Sequence, residues 1–186
     1  MTTTTTVTTG TAPTTAPAAG APAQDAVAGL IARWRHDGTT FVVVDERGRH
    51  RRELAAGRLD LTHPSVVDAR WVNATLHRTG YVLLDACNVP RRARPLTLSR
   101  ALAAVRRLRD RCGQPEWVLL EDAQDLLREP GLSPQALALA RGGYCLAVRD
   151  GGTLPAWTAS APGLRLQVAQ PDLELSLLPA ADAAAS

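Results

Sequence analysis

The sequence predicts an α/β fold with a mostly parallel central sheet and helices on both faces. Three segments, residues 41–46, 81–85 and 117–122, are apolar almost throughout and end in acids. They alternate with helix-like segments, each about ten to fifteen residues long. Strands that are apolar along their whole length are typical of parallel sheets covered on both sides, and the alternation indicates βαβ units.

The helices and the remaining strands follow from periodicity and end signals. We expect a first helix from Asp25, as N-cap, to Gly38, a second over residues 64–78, and a third with a stripe that includes Leu98. The other positions of that stripe are Leu102, Val105, Leu108 and Cys112. Ser133 and Pro134 predict the start of a fourth helix, which is followed by a strand at 144–149. The final strands, 164–168 and 173–177, are candidates for an antiparallel hairpin at one edge.

The first 24 residues consist almost entirely of threonine, alanine, proline and glycine. Such a segment cannot bury enough apolar surface to offset its ordering entropy, so we predict a disordered tail over 1–24. One ATPase-like α/β domain is predicted over 25–179, and a second disordered tail over 180–186. The absence of a long apolar run and of a secretion signal leads us to expect a cytoplasmic protein that makes no membrane contact.

Composition excludes several chemistries. The formal net charge is +3, and all 21 basic residues are arginine. Without lysine, Schiff-base chemistry and a lysine grip on phosphate are excluded. The three cysteines and the four histidines are dispersed and show no metal-ligand spacing.

Acidic residues end three of the predicted strands. Because the carboxyl ends of parallel strands lie at one edge of a sheet, Glu121, Asp45 and Asp85 are candidate ligands for a divalent metal ion. The alternative is that these acids are turn residues and helix caps.

Four segments together resemble the HerA/FtsK-type P-loop ATPases, the motor family of DNA translocases and helicases. FVVVDERGRH, YVLLDACNVP, LRDRCGQPEWVLLEDAQDLL and RGGYCLAVRDGGTLP occur in the order of that family's second strand, third strand, Walker B segment and sensor strand. The resemblance covers nearly everything after residue 25. It implies a P-loop NTPase-like fold, ATP and Mg²⁺ as cofactors, and DNA as a partner of active members.

The Walker A motif is degenerate. A working member needs G-x-x-x-x-G-K-[ST] before the first helix, because its backbone N–H groups and lysine hold the phosphates. In GAPAQDAV only Gly20 matches, while Asp25, Ala26 and Val27 replace the second glycine, the lysine and the hydroxyl residue. An aspartate there would repel phosphate.

Other positions depart from the family in the same direction. By resemblance, Glu121 and Asp122 are the Walker B carboxylates in reversed order, which misplaces both by about one methylene. In the sensor strand Val148 replaces a threonine, and Asp150 replaces a glutamine. We therefore expect both Walker B carboxylates to be impaired in catalysis, and no bound cofactor.

Eight arginines lie between Arg91 and Arg111. They suggest a basic patch that binds phosphate or completes a neighbour's nucleotide site, although a solvated helix face is the more common explanation of such a run. The patch is assigned to five of them: Arg91, Arg92, Arg94, Arg106 and Arg107.

The leading hypothesis is a degenerate ATPase-like domain without independent ATP hydrolysis, which serves as an interaction or regulatory subunit. Its expected partner is a protein, either an active ATPase or a second copy of the chain, and nucleic acid is only weakly supported. Two alternatives stay open. One is a Mg²⁺-dependent phosphoryl hydrolase that uses the acidic strand ends. The other is a subunit that complements a partner ATPase in DNA processing.

Overall fold

The computed structural model describes residues 23–63 and 68–121, together with the backbone of three strands at 145–149, 164–168 and 173–176. The predicted fourth helix and the second tail lie outside these ranges, as do residues 1–22 of the first tail. Gly20, Asp122 and Asp150 lie outside them as well.

The described strands form one sheet. In chain order they are β1 (Phe41–Asp45), β2 (Arg58–Asp60), β3 (Tyr81–Asp85), β4 (Trp117–Leu120), β5 (Cys145–Arg149), β6 (Leu164–Val168) and β7 (Leu173–Ser176). Their order across the sheet is β2-β3-β1-β4-β5-β6-β7. Neighbouring strands pair in parallel, except that β6 and β7 are antiparallel. The predicted mostly parallel sheet and the antiparallel edge hairpin are confirmed.

Three α-helices occur in the described ranges: α1 (Ala23–His36), α2 (Ala69–Thr79) and α3 (Arg94–Cys112). The prediction that Asp25 caps α1 is wrong, because the helix begins two residues earlier and Asp25 lies in its first turn. Asp68 caps α2, since its Oδ1 accepts a hydrogen bond from the Arg70 N–H at 3.1 Å. None of the helices described is long and apolar enough to cross a bilayer.

Each face of the sheet is covered by helices, as the apolar strands predicted. Alternate residues of the central strands, such as Val42, Val82 and Val118, pack with α2 and α3 in one buried cluster. The intervening residues, such as Val43 and Leu83, pack with α1 in a second cluster. Side chains of a strand alternate between faces, so a strand buried on both faces must be apolar at every position.

Aromatic rings gather where the central strands begin. Trp34 of α1 stacks on Trp117 at 5.6 Å between centroids and lies tilted against Phe41 at 5.3 Å. Phe41 in turn stacks on Tyr81 at 5.5 Å. These contacts fix the C-terminal end of α1 at the amino edge of the sheet, and the N-terminal end of α1 therefore points to the carboxyl edge.

The edge strand β2 was not predicted from the sequence. It follows a short 3₁₀ helix, Ala55–Gly57, that approaches β3 closely. A Cβ built on Gly57 would lie 2.6 Å from both the Tyr81 carbonyl oxygen and its ring. Only glycine allows the chain to approach this closely and enter β2.

Gly57→Ala should therefore destabilise the protein by about 1–3 kcal/mol, because the added methyl group overlaps backbone that cannot move freely. Gly29→Ala in α1 is the matched control, since nothing lies within 4 Å of its built Cβ. In Gly29→Ala, alanine should raise the free energy of unfolding by about 0.5–1 kcal/mol because its helix propensity is higher than that of glycine. Urea unfolding of both variants measures the difference, and equal stabilities would contradict the close contact.

Candidate functional site

Four acids lie side by side at the carboxyl edge of the sheet, and we call them the acidic row: Asp60, Asp85, Asp45 and Glu121. Asp60 pairs in register with Asp85, and Asp85 with Asp45. Glu121 follows β4 beside β1, where its N–H donates to the Val44 carbonyl at 3.2 Å. The sequence-predicted metal ligands Asp45, Asp85 and Glu121 are thus brought together at one edge.

The acidic row lies on the face of the sheet that α1 covers. Val43, Leu83 and Leu119, each two residues before an acid, belong to the cluster that contains α1. Because residues two apart in a strand share a face, the acids point to the same side. The segment between β1 and β2 covers this side too, since its Leu54 is fully buried in that cluster.

Asp45 holds the start of that segment. It is fully buried, and its Oδ1 accepts hydrogen bonds from the N–H groups of Arg47 at 2.9 Å and Gly48 at 2.6 Å. Its Oδ2 accepts from the His50 N–H at 2.9 Å. Gly48 has a φ of +73°, which is why a glycine suits this turn. The Asp45 carboxylate therefore holds the turn after β1 by accepting hydrogen bonds from three of its backbone N–H groups.

Asp85 joins three segments through its side chain. Its Oδ2 accepts hydrogen bonds from Arg51 Nε and Arg58 Nε, each at 2.6 Å, and its Oδ1 accepts from the Cys87 N–H at 3.1 Å. Burial alone would raise the pKa of this carboxyl, but the three hydrogen bonds outweigh burial and lower the pKa below its ordinary value. Arg58 also donates Nη2 to Asp60 at 3.0 Å, so one guanidinium bridges two acids of the row.

His50 and Glu121 form a buried pair. His50 Nε2 lies 2.8 Å from Glu121 Oε1, and its Nδ1 lies 3.3 Å from Glu53 Oε2. Burial disfavours the charged imidazole, but the hydrogen bond and charge of Glu121, with help from Asp45 and Glu53, outweigh burial and raise the pKa of His50. An imidazole can donate to two carboxylates only when both nitrogens are protonated. Arg49 adds a further positive charge 3.6 Å from Glu121 Oε1.

One oxygen of the row lacks a partner among the described residues. Glu121 is 3% exposed, and its Oε2 is buried without a hydrogen bond there. A buried carboxylate oxygen costs free energy unless a donor or a cation satisfies it. This atom is the point of the edge at which a further group could bind.

The candidate metal ligands already have internal partners. Asp45 binds backbone N–H groups, Asp85 binds two arginines, and Glu121 binds a histidine. In the part of the chain that the structure describes, no three histidine, cysteine, aspartate or glutamate side chains are arranged to hold a metal ion. A cation bound by Asp85 would have to displace the two arginines that neutralise its charge.

Residues at the Walker A-like position form the first turn of α1. Asp25 and Ala26 lie within the helix, and Val27 is buried in the cluster on that face of the sheet. The helix begins at Ala23, before the position where the motif would place its lysine. The position that the resemblance assigns to the motif's Mg²⁺-binding hydroxyl residue is therefore occupied by a core side chain.

The structure divides the predicted basic patch. Arg91 and Arg92 are exposed before α3, whereas Arg94 binds the Val89 carbonyl at 3.2 Å and lies 3.5 Å from Glu46. On α3, Arg106 pairs with Asp110 at 3.6 Å, and Arg107 is exposed. Arg94 thus belongs to the carboxyl edge, while Arg106 and Arg107 lie on the outer side of α3.

The residues that bind the acids were not predicted from the sequence. His50 was treated as one of four dispersed histidines, and no role was assigned to Arg49, Arg51 or Arg58. A signal was present in RGRHRR, the basic run that directly follows the first acidic strand end. A basic run beside a row of acids indicates internal neutralisation by charge complementarity.

Asp85→Asn should destabilise the protein by about 2–4 kcal/mol, because it leaves two arginines without their shared carboxylate. The loss falls at the low end for buried pairs because both guanidinium side chains are about one-third exposed. Asp37→Asn is the control, since its pair with Arg33 is exposed and should contribute less than about 1 kcal/mol. Urea unfolding at neutral pH measures both variants. A loss of unfolding free energy for Asp85→Asn no larger than the control's would contradict a stabilising role for the contacts of Asp85 with Arg51 and Arg58.

His50 should make stability depend on pH near neutrality. Its pKa is raised on folding, so its contribution is complete below the ordinary value of 6.5 and is lost as the pH rises through the higher folded value. His50→Gln should remove this decline, whereas His36→Gln, at an exposed position in α1, should retain it. Unfolding free energies measured from pH 5 to 9 test the point, and a wild-type stability that rises over this interval would contradict it.

Comparison with known proteins assigns neither a family nor a function to this site. No protein-family model, no curated protein and no solved structure matches the chain. The resemblance to the HerA/FtsK-type ATPases therefore stays a prediction from the sequence. The site is interpreted from its own contacts.

Proposed function

We propose that the chain is a degenerate P-loop ATPase-like domain that does not hydrolyse ATP by itself and serves in the cytoplasm as an interaction or regulatory subunit. The observation that carries the proposal is the internal neutralisation of the acidic row. Asp85 accepts hydrogen bonds from Arg51 and Arg58, and Asp45 accepts them from backbone N–H groups. Glu121 forms a hydrogen bond with His50.

The location of this neutralisation supports the proposal. In open parallel sheets, ligands bind outside the carboxyl ends of the strands. In this chain the segment that follows β1 occupies that edge, with Leu54 buried under the sheet and Arg51 bound to Asp85. An edge filled by the chain's own side chains is suited to holding the fold together rather than to turning over a substrate.

The first turn of α1 gives independent support. The N-terminal end of α1 lies toward the same edge, where a phosphate-binding loop would need free backbone N–H groups and a positive charge. Here Val27 is buried in the core, so its position offers no oxygen to a bound Mg²⁺ ion. This feature opposes binding of a triphosphate.

Purified protein with ATP and Mg²⁺ should release no more phosphate than a buffer blank. Asp122→Ala, and Asp37→Ala as a surface control, should behave identically. Circular dichroism confirms that each preparation is folded. ATP hydrolysis by the wild type that is abolished by Asp122→Ala but kept by Asp37→Ala would overturn the proposal.

One observation favours the alternative of a Mg²⁺-dependent phosphoryl hydrolase. Glu121 Oε2 is buried without a partner among the described residues, and a cation would satisfy it. Calorimetric titration with Mn²⁺ separates the two proposals. Tight binding that is lost in Glu121→Gln but kept in Asp37→Asn would favour the hydrolase.

The role as a complement to a partner ATPase rests on the outer side of α3. Arg107 is exposed there, and a guanidinium can stabilise charge in a neighbour's nucleotide site. Arg106 is held by Asp110, which makes Arg107 the better candidate of the two.

A further inference from the structure

A groove separates α2 from the C-terminal half of α3 and has a volume of about 390 Å³. This volume falls within the range of about 300–1,000 Å³ that is typical of small-molecule sites. The groove lies on the α2 and α3 side of the sheet, whereas the acidic row lies on the α1 side. It is therefore separate from the site described above.

The side chains that line the groove are mainly hydrogen-bond donors. Arg70 and His77 come from α2, and Arg111 comes from the last turn of α3. Asn73 and Gln114 add two amides to the lining. None of the lining residues within the described ranges is acidic.

Nearby acids do not neutralise this lining through the contacts they make. Asp68 accepts from the Arg70 backbone N–H as the cap of α2. Asp110 pairs with Arg106 on another side of α3. Arg70 and Arg111 thus line a groove that has no carboxylate among its lining residues. Arg51 and Arg58 at the acidic row, in contrast, bind Asp85.

The basic character extends along α3. Arg100, Arg107 and Arg111 are spaced by seven and four residues, so they lie on one side of the helix, and all three are exposed. Their combined field raises the local concentration of anions at the groove. Leu108, one of the lining residues, is buried, and its carbonyl accepts a hydrogen bond from the Cys112 thiol at 3.2 Å.

We propose that this groove binds a small molecule that carries phosphate groups. Two guanidinium groups offer planar pairs of donors that match phosphate oxygens, and the two amides can accept or donate to the rest of the ligand. A concave groove lined by basic residues suits a compact anion better than an extended polyanion, which would bind along a flat surface. The proposal is independent of whether the acidic row is catalytic.

Calorimetric titration of the full chain with inorganic pyrophosphate tests the groove. Arg111→Gln and Arg70→Gln should each weaken binding by about tenfold or more, as expected for the loss of a charge-assisted hydrogen bond. Arg106→Gln is the matched control, because it removes the same charge from α3 about 140° around the helix from Arg111. Binding by this control should stay within about twofold of wild type.

Three outcomes would overturn the proposal. Wild-type protein whose circular dichroism shows it to be folded could fail to bind pyrophosphate. Arg106→Gln could weaken binding as much as Arg111→Gln, which would indicate only the general field of the surface. A DNA oligonucleotide could bind while pyrophosphate does not, with binding lost in Arg107→Gln, which would assign the basic side of α3 to nucleic acid.

Discussion

Neutralisation of buried carboxylates at the carboxyl edge is the constraint on which the rest of the structure depends. Asp45 and Asp85 are fully buried and adjacent in register, so two negative charges meet in a region with little water. A buried charge costs several kcal/mol unless donors or opposite charges surround it. The route of the chain from β1 to β2 satisfies this requirement, because it brings three backbone donors to Asp45 and two arginines to Asp85.

The same contacts explain how a three-residue strand persists at the edge of the sheet. Such a short strand makes few ladder hydrogen bonds, and two of its three residues, Arg58 and Asp60, are charged. Arg58 holds it from one end by binding Asp85 of β3, and Leu59 and Leu61 bury their side chains in the cluster that contains α2 and α3. The ion pair of Arg58 and the apolar contacts of Leu59 and Leu61 involve adjacent residues. The losses of unfolding free energy on removing them are therefore expected to be coupled rather than additive.

Sequence reasoning succeeded where a single physical requirement acts along consecutive residues. The bounds of β3 match the prediction, because a strand buried on both faces must be apolar at every position. It failed for β2, whose state is set by pairing with β3 rather than by its own pattern. It also failed for the contacts of the acidic row, because the partners are distant in the chain: 27 residues separate Arg58 from Asp85, and 71 separate His50 from Glu121. No local pattern encodes such a pairing, although the basic run after β1 gave a hint of it.

The chain uses arginine and no lysine in both of its basic regions, which are the residues that bind the acidic row and the residues that line the groove. Arg58 binds Asp85 through Nε and Asp60 through Nη2, which a lysine, with its single ammonium group, could not do with the same fixed geometry. At the acidic row the guanidinium groups meet carboxylates of the same chain, so their charge is consumed in holding the fold. At the groove, Arg70 and Arg111 meet no carboxylate among the lining residues, and their charge is available to a ligand. Arginine thus stabilises the fold on the α1 side of the sheet and is available to a ligand on the other side. The difference is whether a carboxylate of the same chain binds the guanidinium group.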